Sequence, residues 1–373
     1  MPKAVLVANV AKEHIRKFYI PFIGLMREKG WTLDVACRLD QSVPECNHAY
    51  DLPCDRNPFR GNLGKSIRIL KTILDRNDYD ILLCSTVVGA MIARLAGSSF
   101  RKKGLKVIYL CHGLHFFPGA SVMRWIMGYP VEKWLASKTD SIIVTNDTDL
   151  DMAKKYLNIP DIKKSHSMGV DLSRFRKNKL SNEERAEQRK NLGIDPDDFV
   201  LTYVAEIIEN KNQIMLLDAF EPVLKAVPNA KLLLVGPEHD DGALRKAIYS
   251  RGLQKEVLLL GWRNDVPKLL HLSDIYVASS KSEGLGLNLI EAMACNLPVI
   301  ATKNRGHAET VQHGKTGFLV DQNDSANMAF YVLQLHDDDE LRKSICMQAQ
   351  KEIEKYETEA AINELVEMII CQE

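Results

Sequence analysis

The segment Ser279-Ser280-Lys281-Ser282-Glu283-Gly284-Leu285-Gly286-Leu287-Asn288-Leu289-Ile290-Glu291-Ala292-Met293-Ala294 places two carboxylates on either side of a pair of glycines. It follows an apolar run ending at Ala278 and opens an apolar helical pattern, so it connects a strand to a helix. Glycines at 284 and 286 let the backbone approach a ligand closely. The first amides of the helix, near Leu287, offer donors and the positive end of the helix dipole. A diphosphate suits that position. Glu283 in the loop can reach a ligand, and Glu291, one turn into the helix, can accept hydrogen bonds from vicinal hydroxyls. The two carboxylates fit a plainer arrangement equally well, with Glu283 capping the helix and Glu291 on its surface.

Two other segments have chemical residue types. Cys111-His112-Gly113-Leu114-His115 follows an apolar run, where a histidine is more often a hydrogen-bonded structural residue than a ligand. Asp149-Leu150-Asp151 has a metal-holding pattern but stands just after Thr145-Asn146 at a helix start, where aspartates cap free amides and favour the dipole. No metal site is expected. No His/Cys cluster has ligand spacing, and no G-x-x-x-x-G-K-[ST] loop occurs.

The elements that must position these residues alternate short β-branched runs with longer helical patterns, the mark of βαβ units and a parallel sheet. Strands are predicted near 3–9, 32–36, 80–84, 105–110 and 141–145, with helices near 14–29, 63–76, 87–97, 121–137 and 148–157. The alternation restarts with strands near 199–204, 230–235, 256–260, 274–278 and 298–301 and helices near 212–226, 241–251, 264–271 and 287–295. Between the series lie Asp171, the basic cluster Arg174 to Lys179 and a polar helix from Ser181 to Leu192, with Glu184 placed for a capping box. The chain from Asp324 onward has helical periodicity only.

A length of 373 residues suits two domains of roughly 150–200 residues each. With 46% hydrophobic and 26% charged residues the composition is that of a soluble globular protein, and no apolar run approaches the about 18 residues a membrane span needs. The first residues read as a strand and not as a signal peptide. Eight cysteines without a C-x-x-C pair read as reduced thiols. The formal charge of zero hides an asymmetry: residues 1–180 hold 29 Lys and Arg against 17 Asp and Glu, and the rest of the chain the reverse excess. The basic half is expected to face something anionic, whether the other half, a lipid headgroup layer or a phosphorylated acceptor. The aromatic stretch Phe116 to Trp134, with Arg124 and Lys133, fits either a core helix or one resting at a membrane interface.

Glu283 and Glu291 with Gly284 and the ending Glu291-Ala292-Met293-Ala294 resemble the signature of the large retaining glycosyltransferase family of GT-B fold, which includes many bacterial polysaccharide enzymes. Pro298-Val299-Ile300-Ala301 resembles the family's next strand, and Gly314-Lys315-Thr316-Gly317-Phe318-Leu319-Val320 its turn and strand. Asn210-Lys211-Asn212-Gln213 resembles the segment whose lysine contacts the donor diphosphate. Leu233-Leu234-Val235-Gly236 and Leu260-Gly261-Trp262-Arg263 resemble the strand ends around the nucleotide base, and the loop of His112 resembles one whose histidine approaches the donor sugar.

The resemblance implies an α/β protein of GT-B fold, two Rossmann-like doubly wound parallel-sheet domains facing across a cleft. The expected division is an acceptor-side domain at 1–170, a linker at 171–197, a nucleotide-sugar domain at 198–350 and a C-terminal helix at 351–373 able to cross back to the first domain. His112 and Glu283 are the implied catalytic residues. Lys211, Glu206, Gly236, Trp262, Arg263, Gly284, Gly286, Leu287, Asn288 and Glu291 are the implied donor-binding residues. Two departures stand out: Glu206 replaces an arginine and either faces elsewhere or reads a sugar hydroxyl, and Ala8-Asn9-Val10-Ala11 replaces a Gly-Gly turn. The expected activity is transfer, with retention, of a hexose or N-acetylhexosamine from a nucleotide-diphosphate sugar, UDP first, to a glycan or lipid-pyrophosphate-linked acceptor. Neither metal nor cofactor is expected, and no nucleic-acid partner. The expected place is the cytoplasm, at the inner face of its membrane through the basic N-terminal half. A sugar-nucleotide epimerase of the same architecture and a non-catalytic sugar-nucleotide-binding subunit are the alternatives.

Overall fold

Two units divide the chain, one made of Met1–Gly169 with the segment from Thr358 onward, the other of Val170–Glu357. The computed structural model describes residues 1–55, 57, 62–177 and 180–371, so Asn178 and Lys179 of the predicted basic cluster lie outside the described residues.

In the first unit the sheet is built from β1 (Lys3–Val10), β2 (Thr32–Arg38), β3 (Ala49–Asp51), β4 (Ile81–Ser85), β5 (Lys106–Cys111), β6 (Ser141–Val144) and β7 (Asp161–Lys164). Their order is β3-β2-β1-β4-β5-β6-β7, and every pairing is parallel. The inner strands are buried on both faces, which is why they read as continuous apolar runs. Helices α1 (Ile20–Glu28), α2 (Leu63–Arg76), α3 (Val87–Gly97), α4 (Val122–Ala136) and α5 (Asp147–Tyr156) cover the sheet. The edge strands β3 and β7 were not expected. Their sequences, AYD and DIKK, are short, polar and partly exposed, and show no alternation to read.

The helix expected at 14–29 begins earlier and is wound differently. Ala11–Tyr19 is a π-helix that runs straight into α1, and Val10 offers no side-chain cap to start an ordinary turn. Bonding from i to i+5 stacks residues five apart, so His14 lies over Tyr19 with ring centroids 5.2 Å apart. Asn9, buried at the end of β1, accepts from Gly89 N at 2.8 Å and Thr86 Oγ1 at 2.7 Å, tying the first loop to the start of α3.

The second unit starts with α6 (Leu172–Arg176) and α7 (Asn182–Asn191) and carries β8 (Phe199–Val204), β9 (Ala230–Val235), β10 (Val257–Gly261), β11 (Ile275–Ala278), β12 (Val299–Thr302) and β13 (Phe318–Val320). The strand order is β10-β9-β8-β11-β12-β13, again wholly parallel. Helices α8 (Gln213–Ala226), α9 (Ala243–Ser250), α10 (Val266–Leu272), α11 (Leu287–Ala294), α12 (Arg305–Thr310), α13 (Ser325–Asp337) and α14 (Asp339–Glu352) complete it. Both sheets are doubly wound, as expected.

The segment 171–197, expected as a linker, is built into this second unit. Phe175 of α6 joins the core, and α7 has the capping box with both Ser181–Glu184 bonds present. Arg189 of α7 is buried, donating to the carbonyls of Leu272, Pro196 and Asp198 and pairing with Asp274 at 2.9 Å. A polar helix looked like a connector because its inward groups, Arg189 and the part-buried Arg185, are charged residues, and only tertiary partners show that they point in. The last helix, α15 (Thr358–Ile370), belongs to the first unit. Ile362, Leu365, Val366 and Ile369 enter the cluster containing Phe22, Ile23 and Met26 of α1, and Glu364 accepts from His166 N at 3.2 Å. All eight cysteines are unpaired, and among the described residues no helix is long and apolar enough to cross a membrane.

Candidate active site

In a doubly wound sheet, ligands bind beyond the carboxyl ends of the strands where the strand order reverses. In the second unit that point lies between β8 and β11. The loop after β8 delivers Lys211, and the loop after β11 delivers Glu283. Lys211 Nζ lies 2.5 Å from Glu283 Oε1, with both side chains mostly buried. The two loops are stitched by backbone: Lys281 N donates to Asn210 O at 2.7 Å, Asn210 Nδ2 to Ser282 O at 2.9 Å, and Ser279 Oγ to Lys211 O at 2.7 Å. The Ser280 carbonyl accepts from Thr302 Oγ1 at 2.7 Å and Asn304 Nδ2 at 2.9 Å, which fixes the same loop to the end of β12.

The other expected donor-binding residues gather at the same edge. Gly286 caps α11, and Leu287 opens it. The Leu287 amide donates to Leu285 O at 3.0 Å, so it serves the turn here and must leave it to serve an anion. Asn288 Nδ2 reaches Val204 O at 3.4 Å, tying the helix start to the end of β8. Glu291 is half-buried one turn on, and Gly284 lies in the loop between. Gly236 follows β9 with φ 153°, and a Cβ there would lie 2.0 Å from Ala205 O, so only glycine fits. Glu206, next to that contact, is exposed. Trp262, after β10, is 72% exposed. Arg263 is engaged by Asp265 at 2.6 Å, which holds the aspartate below the usual carboxylate range.

His112 belongs to the first unit, where the strand order reverses between β1 and β4. Its Nε2 lies 2.8 Å from Tyr19 Oη and 3.1 Å from Ser85 Oγ; Tyr19 donates to Ser85 at 2.8 Å, and His14 Nε2 is 2.9 Å from the same serine. The residue as a whole is exposed, while the protein packed around its imidazole pushes it down to about 4. It is a neutral histidine held by two hydroxyls. His14, Tyr19 and Ser85 were not expected, because the π-helix that carries His14 and Tyr19 and the end of β4 that carries Ser85 are far apart in sequence, and only the π-helical spacing of 14 and 19 could have hinted at a shared face. Asp149 is buried, accepting from Asn146 Nδ2 at 2.9 Å and Leu114 N at 3.3 Å as part of the α5 cap. Among the described residues no group of three or more His, Cys, Asp or Glu is arranged to hold a metal.

The first turn of α12 supplies further unexpected support for Glu283. A Cβ on Gly306 would lie 2.7 Å from Glu283 Cβ and 2.8 Å from its carbonyl carbon, and Arg305 Nε donates to Glu283 O at 3.2 Å. His307 is wholly buried beside Gly286, its Nδ1 2.7 Å from Thr302 O. The same nitrogen is 3.0 Å from Asn304 Nδ2, and burial pushes this imidazole too down to about 4.

Comparison with known proteins adds a family to this geometry. The model of glycosyl transferases group 1 matches residues 184–352, and that of glycosyl transferase 4-like domains matches residues 3–146. The putative glycosyltransferase EpsD of Bacillus subtilis is 34% identical over 370 residues, covering 99% of this chain and 96% of that protein. The UDP-Gal:α-D-GlcNAc-diphosphoundecaprenol α-1,3-galactosyltransferase of Escherichia coli is 30% identical over 292 residues, covering 74% and 70%. Among solved structures, Anabaena HepE in complex with UDP and glucose superimposes with a TM-score of 0.80 over 99% of both chains, at 20% identity.

Proposed function

Because this chain belongs to the group 1 family of glycosyltransferases, retaining enzymes of GT-B fold, we propose that it moves a hexose or N-acetylhexosamine from a UDP-sugar to a hydroxyl of a lipid-linked glycan in polysaccharide biosynthesis. The observation that carries this reading is the Lys211–Glu283 pair at the β8/β11 reversal, beside the glycines that open α11. An ammonium partly withdrawn from water and countered by one carboxylate is a receptor for a more highly charged anion, since a diphosphate outcompetes a single carboxylate.

In this reading Lys211 and the amides of the Gly284–Leu287 turn hold the diphosphate, Glu291 binds the ribose, and Glu283 addresses the sugar. The role expected for His112, contact with the donor sugar, belongs to the same proposal. The bond from the anomeric carbon to the phosphate oxygen breaks while the acceptor oxygen attaches on the same face, and the departing phosphate takes the acceptor's proton. Neither a covalent nucleophile nor a metal is needed, because Lys211 and the amides meet the developing negative charge. The acceptor places the enzyme at the inner face of the cytoplasmic membrane, with the basic half toward anionic headgroups. The lipid-diphosphate acceptor named for the Escherichia coli relative supports the lipid linkage, and UDP in the HepE complex supports the nucleotide.

The test is a mass-spectrometric turnover screen against UDP-, GDP- and ADP-sugars, with and without lipid-pyrophosphate-linked monosaccharides. Acceptor-dependent sugar transfer from a UDP-sugar is expected; isomerisation without acceptor, or nucleotide binding without turnover, would replace this reading by an epimerase or a binding subunit. The packing of Gly306 against Glu283 adds a sharper expectation. Gly306→Ala should displace the Glu283 backbone and lower kcat about tenfold or more, while UDP affinity measured by calorimetry changes by less than about threefold. Equal losses in both would mean that the loop serves nucleotide binding alone.

A further inference from the structure

Helix α4 is apolar on two opposite sides. Its inner side packs Trp125 and Tyr129 against Phe116 and Tyr156, with ring centroids 5.3–5.7 Å apart for the direct neighbours. Its outer side presents Val122, Met123, Ile126, Met127 and Trp134, each 54–74% exposed. A helix apolar all round is ordinarily a buried helix, and a contiguous exposed apolar face marks an interaction surface. The exposed charged residues of the helix are both positive. Arg124 and Lys133 lie on the helix, and Lys138, just past its end, holds its ammonium 4.7 Å over the Trp134 ring. Arg101 bonds Ser137 O at 2.8 Å, so its short turn brings the exposed Lys102 to the same end. The helix's one carboxylate, Glu132, is turned inward onto Arg94 at 2.7 Å.

We propose that this outer face of α4 docks onto a lipid bilayer carrying anionic headgroups. The apolar side chains enter the boundary between headgroups and acyl chains while the cations stay at headgroup level, their long stems bridging the two depths. A tryptophan beneath a lysine is the pairing suited to that level. A second copy of the chain is the poorer occupant: a two-fold contact through this face would set Arg124, Lys133 and Lys138 opposite the same cations of the partner. The inference deepens the functional reading by naming the surface that brings the enzyme to a lipid-linked acceptor, but docking itself needs no sugar transfer.

The experiment is sedimentation of the full chain with vesicles of phosphatidylcholine, alone or mixed with phosphatidylglycerol, containing no glycolipid. Wild type is expected to bind the mixed vesicles and to lose binding as salt rises. The combined Ile126→Ser, Met127→Ser and Trp134→Ser variant should bind them about tenfold more weakly, and Lys133→Glu with Lys138→Glu should abolish the preference for phosphatidylglycerol. Circular dichroism and urea unfolding of each variant verify that the fold is intact. The proposal is overturned if wild type binds neither vesicle, if the serine variant partitions like wild type, or if ultracentrifugation shows a wild-type dimer that the serine variant abolishes. Because neither acceptor nor turnover enters this assay, its failure would leave the glycosyl-transfer reading standing, and failure of that reading would leave this result unchanged.

Discussion

Lys211→Ala is expected to lower kcat/KM for the sugar nucleotide by about 10²–10³, the cost of removing one preorganised charge from a site of developing negative charge, or about 3–4 kcal/mol. The loss should appear in kcat as well as in KM, because charge on the diphosphate is greatest as the sugar departs. Glu283→Ala should lower kcat by a similar factor with less effect on UDP affinity. Since Lys211 Nζ and Glu283 Oε1 are 2.5 Å apart, the double variant should lose much less than the product of the two single losses. Steady-state kinetics on the four proteins form the cycle. A single-variant effect on kcat/KM below about threefold, or strictly multiplicative losses, would show that this ion pair is scaffolding.

The second large effect concerns stability. Arg94 is wholly buried in α3, donating to both oxygens of Glu132 at 2.7 and 3.0 Å and to Ala90 O at 3.1 Å, with its guanidinium 4.3 Å from the Tyr109 ring centre. Burial works against its charge, but the Glu132 carboxylate outweighs that, and the guanidinium stays protonated. Glu132→Ala strands that charge in the core and should cost about 3–5 kcal/mol in urea unfolding followed by fluorescence. Replacing both residues, with Arg94→Met and Glu132→Leu, should recover most of the loss, because the pair's desolvation penalty goes with it. A Glu132→Ala loss under about 1 kcal/mol would mean that water reaches Arg94. The same pair turns α4, so a loosened variant should also bind bilayers less well.

Most of the scaffold could be read from the chain because its strands are apolar on both faces and its helices carry a period close to 3.6, signals that survive without tertiary knowledge. The Glu283–Gly286 loop could be read as a candidate because its carboxylate and glycines are local in sequence, whereas Lys211, 72 residues away, was reached only through the resemblance of its segment to the family's. What escaped depended on distant partners. Tyr19, Ser85 and His14 meet only because a π-helix follows β1, and no side-chain pattern announces that winding. Gly306 packs on Glu283, and His307 beside Gly286, from the first turn of α12 some twenty residues downstream, where asparagine, glycine and histidine look like an ordinary turn. Helix α7 was misplaced as a linker because its buried group, Arg189, is of a type found mostly on surfaces.

One consequence follows from the way the chain enters and leaves the second unit. Val170 N donates to Tyr356 O at 2.7 Å, and Val170 pairs with Glu357 as an isolated parallel bridge. The 170–357 segment therefore begins and ends at one point, inserted into a first unit that holds both chain termini. Such a segment is a cassette. Two cuts at neighbouring positions exchange this whole unit for that of a relative while leaving α15 of the first unit in place, so that whatever donor preference the second unit carries is inheritable as one piece of chain.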